Sequence, residues 1–217
     1  MGWWVADLFH ENKALLISQV FWVIFSICLH ELGHGKAAIA LGDRTPIETG
    51  HMTWNPLVHM GMTSIVVFLI TGIAWGLMPV NPSRLRGAYA DAKVAAAGPA
   101  VNLGLAIFCT VALALWMKYA KAMPGELYEN FTTFFFAGAM LNLVLLVLNL
   151  LPVPPLDGSR IVADFVPGFR RLIEKPNAAL VGLILLVLAI NAGSAHVWRT
   201  ASRTVLDAAQ MLYLRLP

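Results

Sequence analysis

The chain has 217 residues, of which 59% are hydrophobic and 12% are charged. A soluble domain usually carries about twice that fraction of charged residues, so the composition excludes an ordinary soluble protein. The net charge of +3 is small and gives no reason to expect a nucleic-acid partner. We therefore expect one polytopic domain, residues 1–217, embedded in the lipid bilayer.

Four apolar stretches are long enough to cross about 30 Å of hydrocarbon as helices. The first is too long for a cleaved signal peptide and lacks the basic start of one. A fifth stretch, over residues 62–78, is marginal because it has only 17 residues and contains two glycines. The fold class that follows is all-α, with about four full spans over residues 14–41, 94–117, 131–151 and 178–198.

The first stretch contains His30-Glu31-Leu32-Gly33-His34, an HExxH signature. Residues i and i+4 of a helix lie on one face, so both imidazoles can reach one metal ion. Glu31 lies about 100° around the helix from His30, within reach of a water at the metal without being a ligand. Ionisable side chains at membrane depth are costly and mark function by default. The motif therefore predicts zinc-dependent hydrolysis within the bilayer.

A polar segment over residues 42–61 follows the first stretch. Its threonine, isoleucine, methionine and tryptophan residues between turn formers predict a short β-hairpin over residues 44–54. His51 and His59 flank this hairpin, and we interpret them as polar loop residues rather than metal ligands.

Three asparagines inside the predicted spans have two interpretations each. Their side chains either join helices by hydrogen bonds or donate to the oxyanion of a tetrahedral intermediate. Asn102 lies just after a Gly-Pro pair that disturbs the helix, and this favours a catalytic role for Asn102. Asn149 has a weaker claim to that role, and Asn142 is interpreted as an interhelical contact.

A proline-rich break follows the third long stretch and ends in Leu156-Asp157-Gly158. Three prolines forbid a continuous helix there, and irregular backbone at membrane depth is tolerated only where it packs in protein or lines a wet cavity. A catalytic zinc needs a third protein ligand and one position left for water. Asp157 is the best candidate for that ligand, and a helix-end cap is the alternative role.

The positions of these groups constrain the topology. The HELGH motif and Asp157 both lie toward the C-terminal ends of their stretches, so sharing one ion is simplest if the two spans run parallel. An odd number of crossings must then separate them, and the span over residues 94–117 supplies one. We therefore predict that residues 62–78 are re-entrant or interfacial and leave the membrane on the side where they entered.

The remaining segments predict the orientation. Basic residues concentrate in the loops around residues 84–93 and 160–175, which should face the cytoplasm by the positive-inside rule. The metal site then lies nearer the cytoplasmic face. Residues 199–216 mix arginines with apolar residues, a pattern typical of an amphipathic helix at the membrane interface. The catalytic core is expected over about residues 14–167, followed by the last span and this helix over residues 178–217.

Together these motifs resemble the site-2 protease family of intramembrane zinc metalloproteases. The resemblance covers about residues 29–167 and is closest to the compact bacterial branch without PDZ or CBS domains. The sequence departs from that branch at Gly61, where an acidic residue followed by proline often stands, and this leaves the role of His59 open. The motifs that carry the resemblance are HELGH, Gly98-Pro99-Ala100-Val101-Asn102, Asn55-Pro56-Leu57-Val58-His59 and the stretch from Asn149 to Gly158.

The resemblance implies one Zn²⁺ per chain, held by His30, His34 and Asp157, with Glu31 as the general base. The expected activity is that of a metalloendopeptidase of the bacterial inner membrane. Its substrate would be a transmembrane protein whose helix unwinds locally and pairs with the predicted hairpin. Asn102 would help to hold the oxyanion. The alternative is a zinc-binding membrane protein without proteolysis, such as a transporter or chaperone, but transporters usually repeat their broken helices and this chain does not.

Overall fold

The structure, a computed structural model, describes residues 4–216, apart from the side chains of residues 189–192 and 194. Over that range the chain forms helices and a short 3-10 turn at Pro82–Arg84, with no strand. The helices are α1 (Trp4–Glu11), α2 (Lys13–Ala40), α3 (Thr45–Glu48), α4 (Pro56–Thr71), α5 (Ala90–Tyr119), α6 (Gly125–Asn149), α7 (Asp157–Phe165), α8 (Pro167–Ile173) and α9 (Ala178–Arg215).

Among the described residues, three helices are long and apolar enough to cross a membrane: α2, α5 and α6. They contain 28, 30 and 25 residues, which at 1.5 Å per residue corresponds to about 38–45 Å. Small residues allow these helices to pack closely, as at Gly138 of α6, where a Cβ atom would lie 2.7 Å from the indole Nε1 of Trp22. Small residues at such contacts are characteristic of helix pairs in membranes.

Side-chain contacts establish the directions of the three long helices. Trp22 of α2 donates its indole N–H to the backbone oxygen of Phe134 in α6, at 2.8 Å. Trp116, near the end of α5, donates to the backbone oxygen of Tyr128, near the start of α6, at 3.1 Å. Helix α5 therefore runs antiparallel to α6, and α2 and α6 run parallel. This is the arrangement that the topology argument predicted.

The β-hairpin predicted over residues 44–54 is wrong. Residues 45–48 form the single helical turn α3, and turns and bends follow it. The carboxylate of Asp43 accepts a hydrogen bond from the backbone N–H of Thr45 at 3.0 Å, and Pro46 stands in the first turn. The first feature is an Asx turn, and a proline at the start of a helical turn has its φ already set. These local contacts favour a turn over a strand at residues 45–48.

The segment over residues 62–78 folds back on itself. A non-helical residue, Gly61 (φ 67°, ψ 164°), breaks α4, and the helix continues to Thr71 and ends at Gly72 in the left-handed conformation. Residues 73–80, the return segment, form neither helix nor strand and run back along α4. Ser64 holds them, since its hydroxyl donates to the backbone oxygen of Trp75 at 2.7 Å and accepts from its N–H at 2.9 Å. This geometry fits the predicted re-entrant segment.

The C-terminal part differs from the prediction. The span expected over residues 178–198 and the interfacial helix expected over residues 199–216 form one continuous helix, α9. The change from apolar to mixed composition does not end the helix, because no glycine or proline lies between Gly193 and the end of α9. Only its first part, Ala178–Leu188, stands out as an apolar helix among the described residues, so a fourth full span is not confirmed.

Candidate metal centre

The HELGH motif lies in the buried C-terminal half of α2. His30, Glu31 and His34 are 9%, 7% and 5% exposed, respectively. The two imidazoles lie on one face of the helix, nearly perpendicular to each other, with their Nε2 atoms 2.9 Å apart. The helical spacing of the motif therefore brings both rings to one point, as the sequence predicted.

Asp157 completes this cluster from another part of the chain. It is the first residue of α7, and its Oδ2 lies 3.1 Å from Nε2 of His30 and 3.2 Å from Nε2 of His34. Helix α7 packs mainly against α5, and its start lies close to the backbone just after α6, since a Cβ atom on Gly158 would lie within 2.5 Å of the Leu150 backbone. The three side chains form the one group in the described part of the chain that is able to hold a metal ion.

The protonation of the cluster matches a cation site. Nδ1 of His34 lies 2.7 Å from the backbone oxygen of Val94, and a carbonyl can only accept, so this Nδ1 carries the proton and Nε2 presents a lone pair. Nδ1 of His30 contacts the amide oxygen of Asn102 at 2.6 Å, which has the same consequence. Oδ2 of Asp157 is buried and receives no hydrogen bond of acceptable geometry. Three converging lone pairs with no proton between them fit a bound dication such as zinc.

The N-terminal half of α5 forms one wall beside the ligands. Gly98 faces both imidazoles, and a Cβ atom there would lie 2.5 Å from Nε2 of His30. Glycine is therefore required at this position, because any side chain would occupy the space between the ligands. The Gly-Pro pair was noted in the sequence as a helix disturbance, but the helix continues through Pro99. Its contribution to the site is the missing side chain of Gly98.

A cleft of about 430 Å³ opens at the cluster. Glu31 lines it together with the three candidate ligands, and the return segment forms its opposite wall. Gly76 of this wall lies against Glu31, since a Cβ atom at Gly76 would be 2.7 Å from Cγ of Glu31. A carboxylate and a candidate cation site therefore share one cavity. The polar side chains of Asn149 and Arg160 also line it.

Comparison with known proteins identifies the family. The family model described as "Peptidase family M50" matches residues 116–190. A Bacillus subtilis protein named "Putative zinc metalloprotease YwhC" is 34% identical over 188 residues, which cover 85% of this chain and 86% of that protein. The chain belongs to peptidase family M50.

Two further relatives are also named putative zinc metalloproteases. Rip2 of Mycobacterium tuberculosis is 32% identical over 181 residues, covering 77% of this chain and 65% of Rip2. MJ0611 of Methanocaldococcus jannaschii is 30% identical over 159 residues, covering 73% of this chain and 74% of that protein. No solved structure matches the chain. Membership of M50 confirms the resemblance drawn from the sequence, and the protein is a zinc metalloprotease with several membrane-spanning helices.

His51 and His59 lie outside the metal cluster. The sequence predicted a loop position for His59, but this residue lies in α4 and is 1% exposed. Its Nε2 donates to the backbone oxygen of Thr53 at 2.7 Å, and its own backbone oxygen accepts from Leu77 of the return segment at 2.8 Å. His51 contacts Thr49 through Nδ1. His59 therefore joins the base of α4 to the return segment.

The three asparagines have distinct places in the M50 site. Asn102 uses its oxygen toward His30 and its NH₂ toward Asn142, an arrangement that favours positioning of the histidine over the predicted contact with an oxyanion. Asn142 joins α5 to α6, as its interpretation as an interhelical contact predicted. Asn149 lines the cleft, and its NH₂ donates to the backbone oxygen of Leu145 at 3.0 Å.

Proposed function

We propose that this protein is an intramembrane metalloendopeptidase that hydrolyses peptide bonds of membrane-embedded substrates. In this proposal His30, His34 and Asp157 hold one zinc ion and Glu31 is the general base. One observation supports this proposal most directly: Glu31 and three lone-pair donors, from the two histidines and Asp157, line a single cleft among apolar helices, and the three donor atoms lie within 3.2 Å of one another. Family membership disfavours the alternative of a zinc transporter or chaperone, since its relatives are named metalloproteases.

The chemistry follows from the positions of the side chains. Zinc, when bound, polarises the scissile carbonyl and lowers the pKa of water toward about 7. The carboxylate of Glu31 then takes a proton from the attacking water and delivers it to the leaving amine nitrogen. Burial of Glu31 among apolar residues keeps bulk water away from this transfer. The imidazoles of His30 and His34 keep their Nδ1 protons in hydrogen bonds and take no part in the transfer.

The substrate segment is proposed to lie along the return segment. A transmembrane helix hides its peptide bonds in its own hydrogen bonds, so it must unwind before attack. Residues 74–78 are irregular backbone that lines the cleft beside Glu31, and an extended substrate chain can pair with exposed backbone groups. The sequence predicted this role for the hairpin over residues 44–54, and we propose it for the return segment instead.

The metal centre is proposed to lie nearer the cytoplasmic face of a bacterial inner membrane. Arg160 donates to Asp91 at 2.6 Å, so the basic loops that contain them lie at one end of the molecule. By the positive-inside rule that end faces the cytoplasm. Cysteine labelling of a Ser83→Cys variant tests this orientation. Modification of this cysteine by a membrane-impermeant reagent from outside the cell would contradict it.

Replacement of Glu31 by glutamine tests the function. We expect Glu31→Gln to lose about 10²–10⁴-fold in cleavage rate, because glutamine cannot accept the proton, while the purified protein retains one zinc. The membrane proteomes of cells that carry the intact protein and the variant should then differ in proteins that accumulate uncleaved. The exposed Glu129→Gln change serves as the matched control. Full cleavage by zinc-loaded Glu31→Gln would refute the assignment of the base.

A further inference from the structure

Two buried asparagines connect the candidate ligand His30 to the backbone of α6. Asn102 of α5 and Asn142 of α6 are both 0% exposed. Nδ1 of His30 lies 2.6 Å from Oδ1 of Asn102, and Nδ2 of Asn102 donates to Oδ1 of Asn142 at 2.9 Å. Nδ2 of Asn142 in turn donates to the backbone oxygen of Gly138 at 2.9 Å. The four groups form one continuous chain of hydrogen bonds, the asparagine relay.

The backbone oxygen of Gly138 sets the direction of the whole relay. A carbonyl only accepts, so the NH₂ of Asn142 must face it and the amide oxygen of Asn142 must face Asn102. Asn102 then has to present its NH₂ to Asn142 and its oxygen to His30. An amide oxygen cannot donate, and the proton of this contact therefore resides on Nδ1 of His30. Nε2, which faces Asp157 and His34, is left with its lone pair.

A single hydrogen bond fixes the same tautomer in the second histidine, His34. Nδ1 of His34 donates directly to the backbone oxygen of Val94, a group that no side-chain substitution removes. The side chain of Asn102 instead controls the orientation of His30, and Asn142 in turn controls that of Asn102. Without these two amides, either nitrogen of the His30 ring could carry the proton, and the ring could rotate about its Cβ–Cγ bond.

We propose that the asparagine relay positions His30 for zinc by fixing its tautomer and ring orientation. Asn102 and Asn142 are in this sense positioning residues, and neither needs to touch the substrate. The inference rests on the proposed function in one respect, because it takes His30 as a zinc ligand. A hydrogen-bond partner behind a metal-bound histidine typically changes metal affinity by 10–100-fold. Asn142 acts on His30 only through Asn102, across the interface between α5 and α6.

The competing interpretation is that Asn142 only joins α5 to α6. Loss of a purely structural contact would lower the stability of the fold and leave the zinc affinity of folded protein unchanged. Loss of the relay would weaken zinc binding in the folded protein. Zinc affinity and the spectrum of a substituted metal therefore distinguish the two interpretations, whereas thermal stability alone does not.

The experiment uses the full-length protein in detergent, with Zn²⁺ in competition with a chromophoric chelator and with Co²⁺ as a spectroscopic probe. We expect Asn102→Leu to bind Zn²⁺ about 10–100-fold more weakly and Asn142→Leu about 10-fold more weakly, each with an altered Co²⁺ absorption spectrum. Asn142→Asp retains an acceptor for the NH₂ of Asn102, so it should recover most of the affinity. Asn142→Ala replaces Asn142→Leu if the latter does not fold.

The control is Met140→Ala, a core truncation on the same helix that contacts Ser202 rather than the relay. It should lose stability and keep wild-type zinc affinity. Wild-type affinity and an unchanged Co²⁺ spectrum in folded Asn142→Leu would overturn the relay, as would equal weakening in Asn142→Asp and Asn142→Leu. Unchanged zinc affinity in His30→Ala would instead refute the proposed metal site, so the two failures are distinguishable.

Discussion

The two walls of the cleft are built in different ways. The α5 wall is regular helix, and it holds both candidate histidine ligands by hydrogen bonds: Nδ1 of His34 donates to the backbone oxygen of Val94, and Nδ1 of His30 donates to the amide oxygen of Asn102. Val94 and Asn102 are both 0% exposed. The wall formed by the return segment is irregular backbone. It packs against the side chain of Glu31 at Gly76, where a Cβ atom would have no room. Trp75 and Leu77 of this wall are 46% and 64% exposed.

This difference separates two requirements of the proposed reaction. A metal site needs its ligands in a fixed geometry, and packed helices with hydrogen-bonded rings supply that geometry. A substrate backbone needs unpaired partners, and only irregular backbone that lines a cavity offers them at membrane depth. Both walls also use glycine for close approach, so the same substitution on each wall should have different consequences.

The largest effect is expected at the α5 wall. In Gly98→Ala, the new methyl group would lie 2.5 Å from Nε2 of His30, a rigid ring atom that cannot move without breaking its contact with Asn102. We expect loss of stoichiometric zinc and a fall in cleavage of about 100-fold or more. Metal analysis of the purified variant and a cleavage assay measure the two losses.

Gly104→Ala is the matched control for that change. Gly104 lies on the same helix, and a Cβ atom there has no neighbour within 4 Å. Zinc content and cleavage should both stay at the wild-type level. A Gly98→Ala protein that retains full zinc content would show that α5 stands further from the ligands than described.

A smaller effect is expected at the return wall. In Gly76→Ala, the methyl group would lie 2.7 Å from Cγ of Glu31 and 2.8 Å from Cγ2 of Ile27. Glu31 is flexible enough to move aside, so we expect about a 10–100-fold loss of cleavage, because a displaced base transfers protons poorly. Zinc content should be unchanged. Simultaneous loss of zinc would contradict the separation of the two walls.

The smallest effect concerns how the return segment is anchored. Asp43 is 0% exposed, and its Oδ2 accepts from the backbone N–H of Asn81 at 2.7 Å, just beyond the return segment. Burial raises the pKa of Asp43, but hydrogen bonds from Thr45 and Asn81 outweigh it and hold that pKa below its ordinary value of 3.8. Asp43→Asn should cost about 1–3 kcal/mol of unfolding free energy at neutral pH.

The pH dependence has a definite sign. Since the folded pKa of Asp43 is lowered, its contribution to stability is complete above the ordinary pKa of 3.8 and is lost as the pH falls through the folded pKa. Wild type and Asp43→Asn should therefore converge in stability in acid, as chemical denaturation at a series of pH values would measure. The exposed Asp207→Asn change is the control. A constant difference across the whole range would rule out this linkage.

Much of the site could be predicted from the sequence because it rests on local spacing. The i and i+4 positions of His30 and His34 specify one helix face whatever the rest of the fold does. Asp157 was the best candidate for the third ligand because it is an acidic residue just after a proline-rich break that apolar surroundings rarely tolerate. The parallel course of α2 and α6 followed from the requirement that these groups share one depth.

Other features required the tertiary structure. The predicted hairpin failed because local contacts of Asp43 and Pro46 favour the turn α3. Residues 73–80, for which the sequence offers no strand pattern, provide the irregular backbone at the cleft instead. The boundary predicted near residue 199 is absent because a change of composition does not by itself end a helix, and α9 continues through it. In both regions the local structure depended on which backbone N–H and C=O groups formed hydrogen bonds in the folded chain.

The sequence by itself therefore predicted the chemistry that we propose: a zinc-type ligand set, a carboxylate base and an apolar environment for them. Only the tertiary structure decided which residues support the proposed reaction without binding zinc or transferring a proton. Gly98, Gly76 and the pair Asn102 and Asn142 act through contacts between elements far apart in the chain. Such contacts leave no periodicity or spacing in the sequence, because a close approach or a relayed hydrogen bond exists only once the helices have packed.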